Sequence, residues 1–375
     1  MSPKRILLMH IGNISGHYCA SMAIEKALQE VDDQAEICKV DALSYANSHM
    51  AKFIYRLYIF VVKAAPWFWE YLYDNKSVLE KIRKIRLIIH RLNNEKIEKL
   101  FGGFHPDAVV CTQAFPCGLI ADYKRRHNLI LPLMGILTDY APHAYWLDEL
   151  VNVYVAPDPK IEKRLMQKGV DAQRLKTLGI PIDLKFRKQN NRRESFRRLR
   201  LNPNLPVILI MGGGQGLGPI RKIVHTLDKL KQPIQMIVAC GTNKRLHRWL
   251  IKHKALFDKK VVVLGYAKNI DRLMEISAFI VSKPGGLTCA EAQSKALPII
   301  IFNPLPGQEK HNTQFLLQTK SALKVENLDE LFLLAEELLD DPTRLDGLRK
   351  RAGALAHPDA ALDIARLILN LVQTK

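Results

Sequence analysis

The chain has 375 residues, of which 48% are hydrophobic and 25% charged. That length holds two domains of ordinary size, and the composition argues against disorder, collagen or coiled coil. Lysine and arginine number 56 against 37 aspartate and glutamate, a net charge of +19. Such an excess points to an anionic partner: nucleic acid, a nucleotide or an acidic membrane surface.

The chain opens on an apolar run at 4–11, followed by Gly12-Asn13-Ile14-Ser15-Gly16-His17. Residues 20–28 then place Ala20, Ala23, Ile24, Ala27 and Leu28 at helical spacing. This reads as strand, glycine loop and helix. The apolar run at 6–9 is too short for a signal peptide. A second strand is expected at 35–40, ending at Asp41. Residues 50–73 are rich in aromatics, Trp67 and Trp69 among them, with Arg56 and Lys63 interleaved. Arg56, Lys63, Glu70 and Pro66 break the run, so it is not a membrane span. Two readings stay open for it: a membrane-interface segment, or a core helix broken at Pro66. A helix is expected at 77–100, and strands at 108–111, 133–137 and 151–156. The third of these four apolar stretches ends in Thr138-Asp139.

A second unit follows. A strand at 206–211 runs into Gly212-Gly213-Gly214-Gln215-Gly216-Leu217-Gly218-Pro219 and a helix from Ile220. Strands are expected at 235–239, 261–264, 279–281 and 298–303, and a helix at 328–339. Ser282-Lys283-Pro284-Gly285-Gly286-Leu287-Thr288 opens a further helix. Strands alternating with helices predict parallel α/β sheets, so the fold class is α/β with two doubly wound units. The expected boundaries are 1–185, a basic linker at 186–202, 203–345 and a C-terminal helical segment at 346–375. Residues 187–200 hold seven basic residues and one acidic residue, Glu194. A solvated linker or helix face accounts for such a run equally well. The six cysteines are scattered without zinc spacing, so reduced thiols and no metal site are expected.

Three glycine loops each leave a strand and enter a helix. A helix N-terminus offers unpaired N–H groups, and glycine lets an anion approach the backbone closely. None is a Walker loop, and no acidic residue supports a simple dinucleotide site. Pro304-Leu305-Pro306-Gly307-Gln308-Glu309-Lys310-His311-Asn312 is denser in function. Its amides and carboxylate suit sugar hydroxyls, although a polar helix-capping loop would look similar. His17, at a strand-to-helix turn, is a candidate general base, and Asp139 sits where α/β active-site residues gather. A structural histidine and a turn cap are the plainer alternatives.

These segments together resemble the lipid-directed branch of glycosyltransferase family 28, the monogalactosyldiacylglycerol synthases and processive diacylglycerol glucosyltransferases. MGGGQGLGPI at 211–220, SKPGGLTCAEA at 282–292 and PLPGQEKHN at 304–312 carry the resemblance, with LGIP at 178–181 and LTD at 137–139. It implies a GT-B fold, two Rossmann-like domains facing across a cleft, the first for the acceptor and the second for a UDP-sugar. The last helix often returns to the first domain in such folds, and residues 359–372 are the candidate. By position, Gly285, Gly286 and Thr288 would face the UDP phosphates and Glu291 the ribose. Gln308, Glu309 and Asn312 would contact sugar or nucleotide, the backbone from Tyr266 would hold uracil, and Gly213 and Gly214 would line the cleft. Gly16-His17 is kept from the family's N-terminal loop, but GNIS precedes it. Asp183 stands where the family commonly has an arginine.

The implied reaction is an inverting hexose transfer from a UDP-sugar to diacylglycerol, without metal or cofactor, with His17 as base and Asp139 as second candidate or orienting partner. The implied place is the cytoplasmic face of an anionic membrane, with Gly16, Arg56, Lys63, Trp67 and Trp69 toward acceptor and bilayer. Another lipid or a polyprenyl-linked acceptor is the alternative. A nucleic-acid-binding protein is the competing class, but no such motif is visible and no nucleic acid is expected as a partner. The sugar is not legible.

Overall fold

The computed structural model describes residues 3–42, 45, 94–142 and 144–373. The aromatic segment at 50–73, with Arg56, Lys63, Trp67 and Trp69, lies outside them. So does most of the helix expected at 77–100. The chain divides into two units: residues 1–184 with 306–308 and 358–375, and residues 185–305 with 309–357.

The first unit is a six-stranded parallel sheet in the order β2-β1-β3-β4-β5-β6. Its strands are β1 Arg5–His10, β2 Glu36–Asp41, β3 Ala108–Cys111, β4 Leu133–Ile136, β5 Val153–Ala156 and β6 Leu175–Thr177. The central strands are short apolar runs buried on both faces, which is what a helix-covered parallel sheet requires. The helices are α1 Gly16–Val31, α2 Asn94–Phe104, α3 Ala114–His127 and α4 Pro159–Gln167. Strand order reverses between β1 and β3. In open α/β sheets the crevice for ligands lies there, beyond the carboxyl ends of the strands.

The second unit is a six-stranded parallel sheet in the order β12-β11-β10-β7-β8-β9. Its strands are β7 Val207–Met211, β8 Gln235–Ala239, β9 Lys260–Leu264, β10 Phe279–Ser282, β11 Ile299–Phe302 and β12 Ala322–Val325. Helix α5 Arg192–Leu199 precedes them, and between them run α6 Ile220–Asp228, α7 Lys244–His253, α8 Ile270–Ile276, α9 Gly286–Ser294 and α10 Gln308–Gln318. Helices α11 Leu328–Asp340 and α12 Pro342–Gly353 follow. Here the order reverses between β7 and β10.

The basic run at 187–200 is folded rather than extended. Asn191 caps α5 by accepting from Glu194 N, and Arg200 ends it in the left-handed region. Asn190 donates to both oxygens of Glu275 at 2.8 Å, and Lys295 pairs with the same carboxylate at 2.9 Å. Burial opposes the Glu275 charge, but these hydrogen bonds outweigh it and hold the carboxyl below its usual range. The run therefore starts as part of the second unit.

The last helix, α13 Ala360–Gln373, belongs to the first unit. Ala361, Ile364, Ala365 and Ile368 are buried with Ala23, Ile24, Ala27 and Leu28 of α1 and with Ile6 and Leu8 of β1. Small alanines on both helices allow close approach. Ile364 is fully buried. Ile364→Ala should destabilise the first unit by about 2–5 kcal/mol, the usual cost of such a cavity. Urea unfolding checks this, and a change near zero would contradict the packing.

Candidate functional site

Each unit has its own cluster of candidate residues at its reversal point. In the first unit, β1 ends at His10 and five residues lead into α1. Gly12 takes a φ of +71° to make the turn. Ser15 closes it. Its hydroxyl donates to Ile11 O at 2.5 Å and accepts from Tyr18 N at 3.1 Å as the cap of α1.

The turn delivers His17 to the carboxyl ends of β3 and β4. Its Nδ1 lies 2.9 Å from Thr112 O and 2.8 Å from Thr138 Oγ1. Thr112 returns a bond from its hydroxyl to His17 O at 2.9 Å. A carbonyl oxygen can only accept, so Nδ1 carries the proton and Nε2 keeps its lone pair. The ring is half-buried. Desolvation lowers its pKa to about 4, against the bond to Thr112 and helped by nearby His10. The positive end of α1 disfavours a cation in the same sense. His17 is thus a neutral imidazole with its basic nitrogen opposite the anchored one.

His10 is a second histidine here, and nothing in local sequence marked it. It is 3% exposed, and its ring meets Tyr18 edge-on at 5.1 Å. Burial lowers its pKa, partly offset by Asp41 at the matching register of β2. Asp139 follows Thr138 at the end of β4 and is half-buried. The hydroxyl of Thr138, rather than the Asp139 carboxylate, is what the structure records on the His17 ring. Gly16 is the exposed first residue of α1. The partners Thr112 and Thr138 were not legible locally, because only strand adjacency brings them to His17.

In the second unit, β11, β10 and β7 are neighbours, so α10, α9 and α6 begin side by side at their carboxyl ends. The loop at 212–218 is shaped by close packing. A Cβ on Gly212 would lie 1.9 Å from Leu217 O, and one on Gly216 would lie 2.0 Å from Cys240 O. Gly214 O accepts from Thr242 N at 2.9 Å. Gly213, with a φ of +68°, faces the Lys283 side chain, 3.6 Å from where its Cβ would stand.

Lys283 is the residue that the sequence reading passed over. Its ammonium pairs with Glu309 Oε1 at 2.5 Å, and both side chains are largely buried. The other Glu309 oxygen accepts from Leu305 N at 2.7 Å. Asn312 is fully buried and donates to Pro284 O at 3.0 Å. These bonds brace the β10–α9 loop against the β11–α10 loop. Both oxygens of Glu309 and the side-chain amide of Asn312 thus take part in this bracing. Gly285 caps α9 without a side-chain bond, and Gly286 is its buried first residue. Thr288 and Glu291, three residues apart, share one face of α9 and are half-buried. Gln308 begins α10 and is half-buried, while Tyr266, after β9, is 52% exposed. Among the described residues, no group of three or more His, Cys, Asp or Glu is placed to hold a metal.

Comparison with known proteins agrees with this division. Residues 17–182 match the monogalactosyldiacylglycerol (MGDG) synthase family, and residues 207–357 match the glycosyltransferase family 28 C-terminal domain. The chain belongs to glycosyltransferase family 28. Processive diacylglycerol beta-glucosyltransferase of Bacillus licheniformis is 25% identical over 379 residues, covering 99% of this chain and 98% of that protein. The protein of the same name from Bacillus subtilis strain 168 is 27% identical over 348 residues, covering 92% and 90%. Among solved structures, Acinetobacter baumannii MurG matches with a TM-score of 0.64 at 16% identity, covering 98% of this chain and 100% of that one. Anabaena HepE in complex with UDP matches with a TM-score of 0.57 at 13% identity, covering 99% and 100%. A UDP-N-acetylglucosamine 2-epimerase matches with 0.62 at 11% identity, covering 100% and 98%. The fold is GT-B, and because an epimerase shares it, the family and not the fold makes this chain a glycosyltransferase.

The His17 environment has a consequence for stability. Its unfolded pKa is 6.5 and its folded pKa about 4, so the unfolded state binds more protons between those values. The stability His17 confers as a neutral ring is complete above pH 6.5 and is lost as pH falls toward 4. Comparing wild type with His17→Gln by urea unfolding, the balance should move toward the variant over that window. A difference independent of pH would contradict the neutral, desolvated ring.

Proposed function

We propose that the chain transfers a hexose from a UDP-sugar to the free hydroxyl of diacylglycerol at a membrane surface, inverting the anomeric centre. The observation that carries this reading is the match of residues 17–182 to the MGDG synthase family, joined to a glycosyltransferase family 28 C-terminal domain at 207–357. Full-length relatives named as diacylglycerol beta-glucosyltransferases support it. Glucose is the favoured sugar on the same ground. A β product from an α-linked donor requires attack from the face opposite UDP.

The acceptor hydroxyl is a poor nucleophile until its proton leaves. His17 Nε2 is the base in this reading, with Nδ1 pinned on Thr112 O and Thr138 Oγ1 so that the lone pair keeps its direction. The depressed pKa keeps the ring unprotonated at neutral pH, and the anionic donor would raise it toward the working range. Proton transfer then accompanies attack. Asp139 is assigned to the acceptor side, beside Thr138.

On the donor side, charge develops on the departing UDP. In this reading the N-termini of α9 and α10 and the ammonium of Lys283 receive it, without a metal. Thr288 is assigned to the phosphates, Glu291 to the ribose, Gln308 to the sugar and the backbone near Tyr266 to uracil. Gly213 and Gly214 keep a side-chain-free approach beside Lys283. Glu309 and Asn312 hold Lys283 and the Pro284 carbonyl in place. Among the described residues, no helix is long and apolar enough to cross a membrane. Arg56, Lys63, Trp67 and Trp69 are the sequence's own candidates for contact with the bilayer.

The test is product analysis after incubation with each common UDP-hexose and diacylglycerol in anionic vesicles. A β-linked glycosyldiacylglycerol is expected, and no transfer with any donor would defeat the reading. His17→Ala should lower kcat at least about a hundredfold, the usual scale for a general base, with UDP-sugar affinity little changed. Full activity in that variant would remove His17 as base. Lys283→Met should weaken UDP binding about tenfold or more and leave uridine binding unchanged, as loss of a charge-assisted contact to phosphate predicts. Equal losses for UDP and uridine in calorimetry would instead mean a collapsed loop.

A further inference from the structure

A strongly cationic face stands on the second unit along the helix that starts beside the first of its glycine loops, where the cap Asn243 donates to Gly216 O at 3.1 Å. Residues 219–260 hold eleven lysines and arginines against two aspartates, nearly half of the chain's net charge in a ninth of its length. The face centres on α7. Lys244, Arg248 and Lys252 recur every four residues along its exposed side. Like charges at that spacing repel, and α7 contains no acidic residue to relieve them. Lys244 also stands at the positive end of the helix, the unfavourable end for a cation. No carboxylate among the described residues pairs with any of the three. Arg221 of α6 extends the face, its guanidinium lying 4.5 Å from the Trp249 ring centroid.

Two aliphatic side chains project among these cations. Ile251 on α7 is 41% exposed, and Leu256, in the turn that follows it, is 74% exposed. Around the helix Ile251 falls close to Lys244 and Arg248. The other apolar side chains of α7, Leu246 and Leu250, are buried. A helix with a basic exposed face and aliphatic tips suits the headgroup boundary of an anionic bilayer.

We infer that the exposed face of α7 is a second membrane-docking surface, which binds anionic lipid headgroups through Lys244, Arg248, Lys252 and Arg221 and inserts Ile251 and Leu256. Single-stranded nucleic acid is the less suited occupant. It would call for exposed rings on which bases stack, and here Trp249 is half-buried beside Arg221 while Phe257 is 8% exposed. The choice of a lipid occupant rests on the proposed function, since an enzyme with a diacylglycerol acceptor must reach a bilayer. The docking role would give the charge repulsion within α7 its compensation.

The experiment is flotation of the full chain with phosphatidylglycerol/phosphatidylcholine vesicles, without donor or acceptor. The variant Lys244→Gln/Arg248→Gln/Lys252→Gln should bind about a hundredfold more weakly than wild type, the sum of three surface lysine or arginine contributions. UDP affinity and melting temperature should not change. Ile251→Asp/Leu256→Asp keeps every cation and should lose the binding that persists at high salt. Inorganic phosphate at millimolar concentration should not compete. Wild-type binding by the triple variant would overturn the inference, as would efficient competition by phosphate. So would loss of RNA retention with vesicle binding intact. Because no transfer is measured, failure here leaves the glycolipid assay to judge the reaction separately.

Discussion

The proposed chemistry turns on one hydrogen bond. Thr112 O can only accept, so the nitrogen of His17 that meets it at 2.9 Å must donate. That single requirement fixes the tautomer and leaves the lone pair on Nε2, which is what the proposed role of His17 as base needs. It works only because β1 and β3 are neighbours at the point where strand order reverses. The crossing brings the turn after one strand against the end of the other. Ser15 and Gly12 set the turn, and Thr138 from β4 locks the ring from a third strand. Burial then removes the competing protonated form.

In the proposed reaction the second unit meets a different problem with the same device. A departing diphosphate needs positive potential held rigidly, because flexible cations would have to reorganise as charge develops. Three helices start at the ends of three adjacent strands. The loops that lead to them are braced by Lys283 with Glu309, by Asn312 with Pro284 and by Thr242 with Gly214. Glycine is needed at Gly212 and Gly216 because backbone occupies the space a Cβ would take. Some of the most recognisable residues of these motifs thus hold the loops in shape.

Much of this was legible in sequence. The apolar runs at β1, β3, β8 and β11 are short, rich in branched residues and bounded by turn formers, so their positions follow from residue pattern. Strands β6 and β12 were missed. Both are edge strands of three or four residues with a lysine inside, so they lack the buried run that identifies a central strand. The glycine loops and His17 announce themselves by context. Thr112, Thr138 and His10 do not, since their value comes from which strands lie side by side. Lys283 stood in plain view within a recognised motif. Its pairing with Glu309, 26 residues away, needs the order of β10 and β11 to be known. The basic run at 187–200 reads in sequence as a solvated linker or a helix face, and the anchoring of Asn190 on Glu275 that precedes the helix at 192–199 is not visible there.

The excess charge noted at the outset divides along the same lines. Part of it is neutralised locally, as at Lys295, and part remains unpaired on α7. The central claim concerns a neutral atom. Nitrogen NMR of histidine-labelled protein at neutral pH, with His17→Gln to assign the signal, reads the His17 tautomer directly. The account predicts a proton on Nδ1 and a lone pair on Nε2, persisting until the pH approaches 4. A proton on Nε2, or an imidazolium at neutral pH, would contradict it.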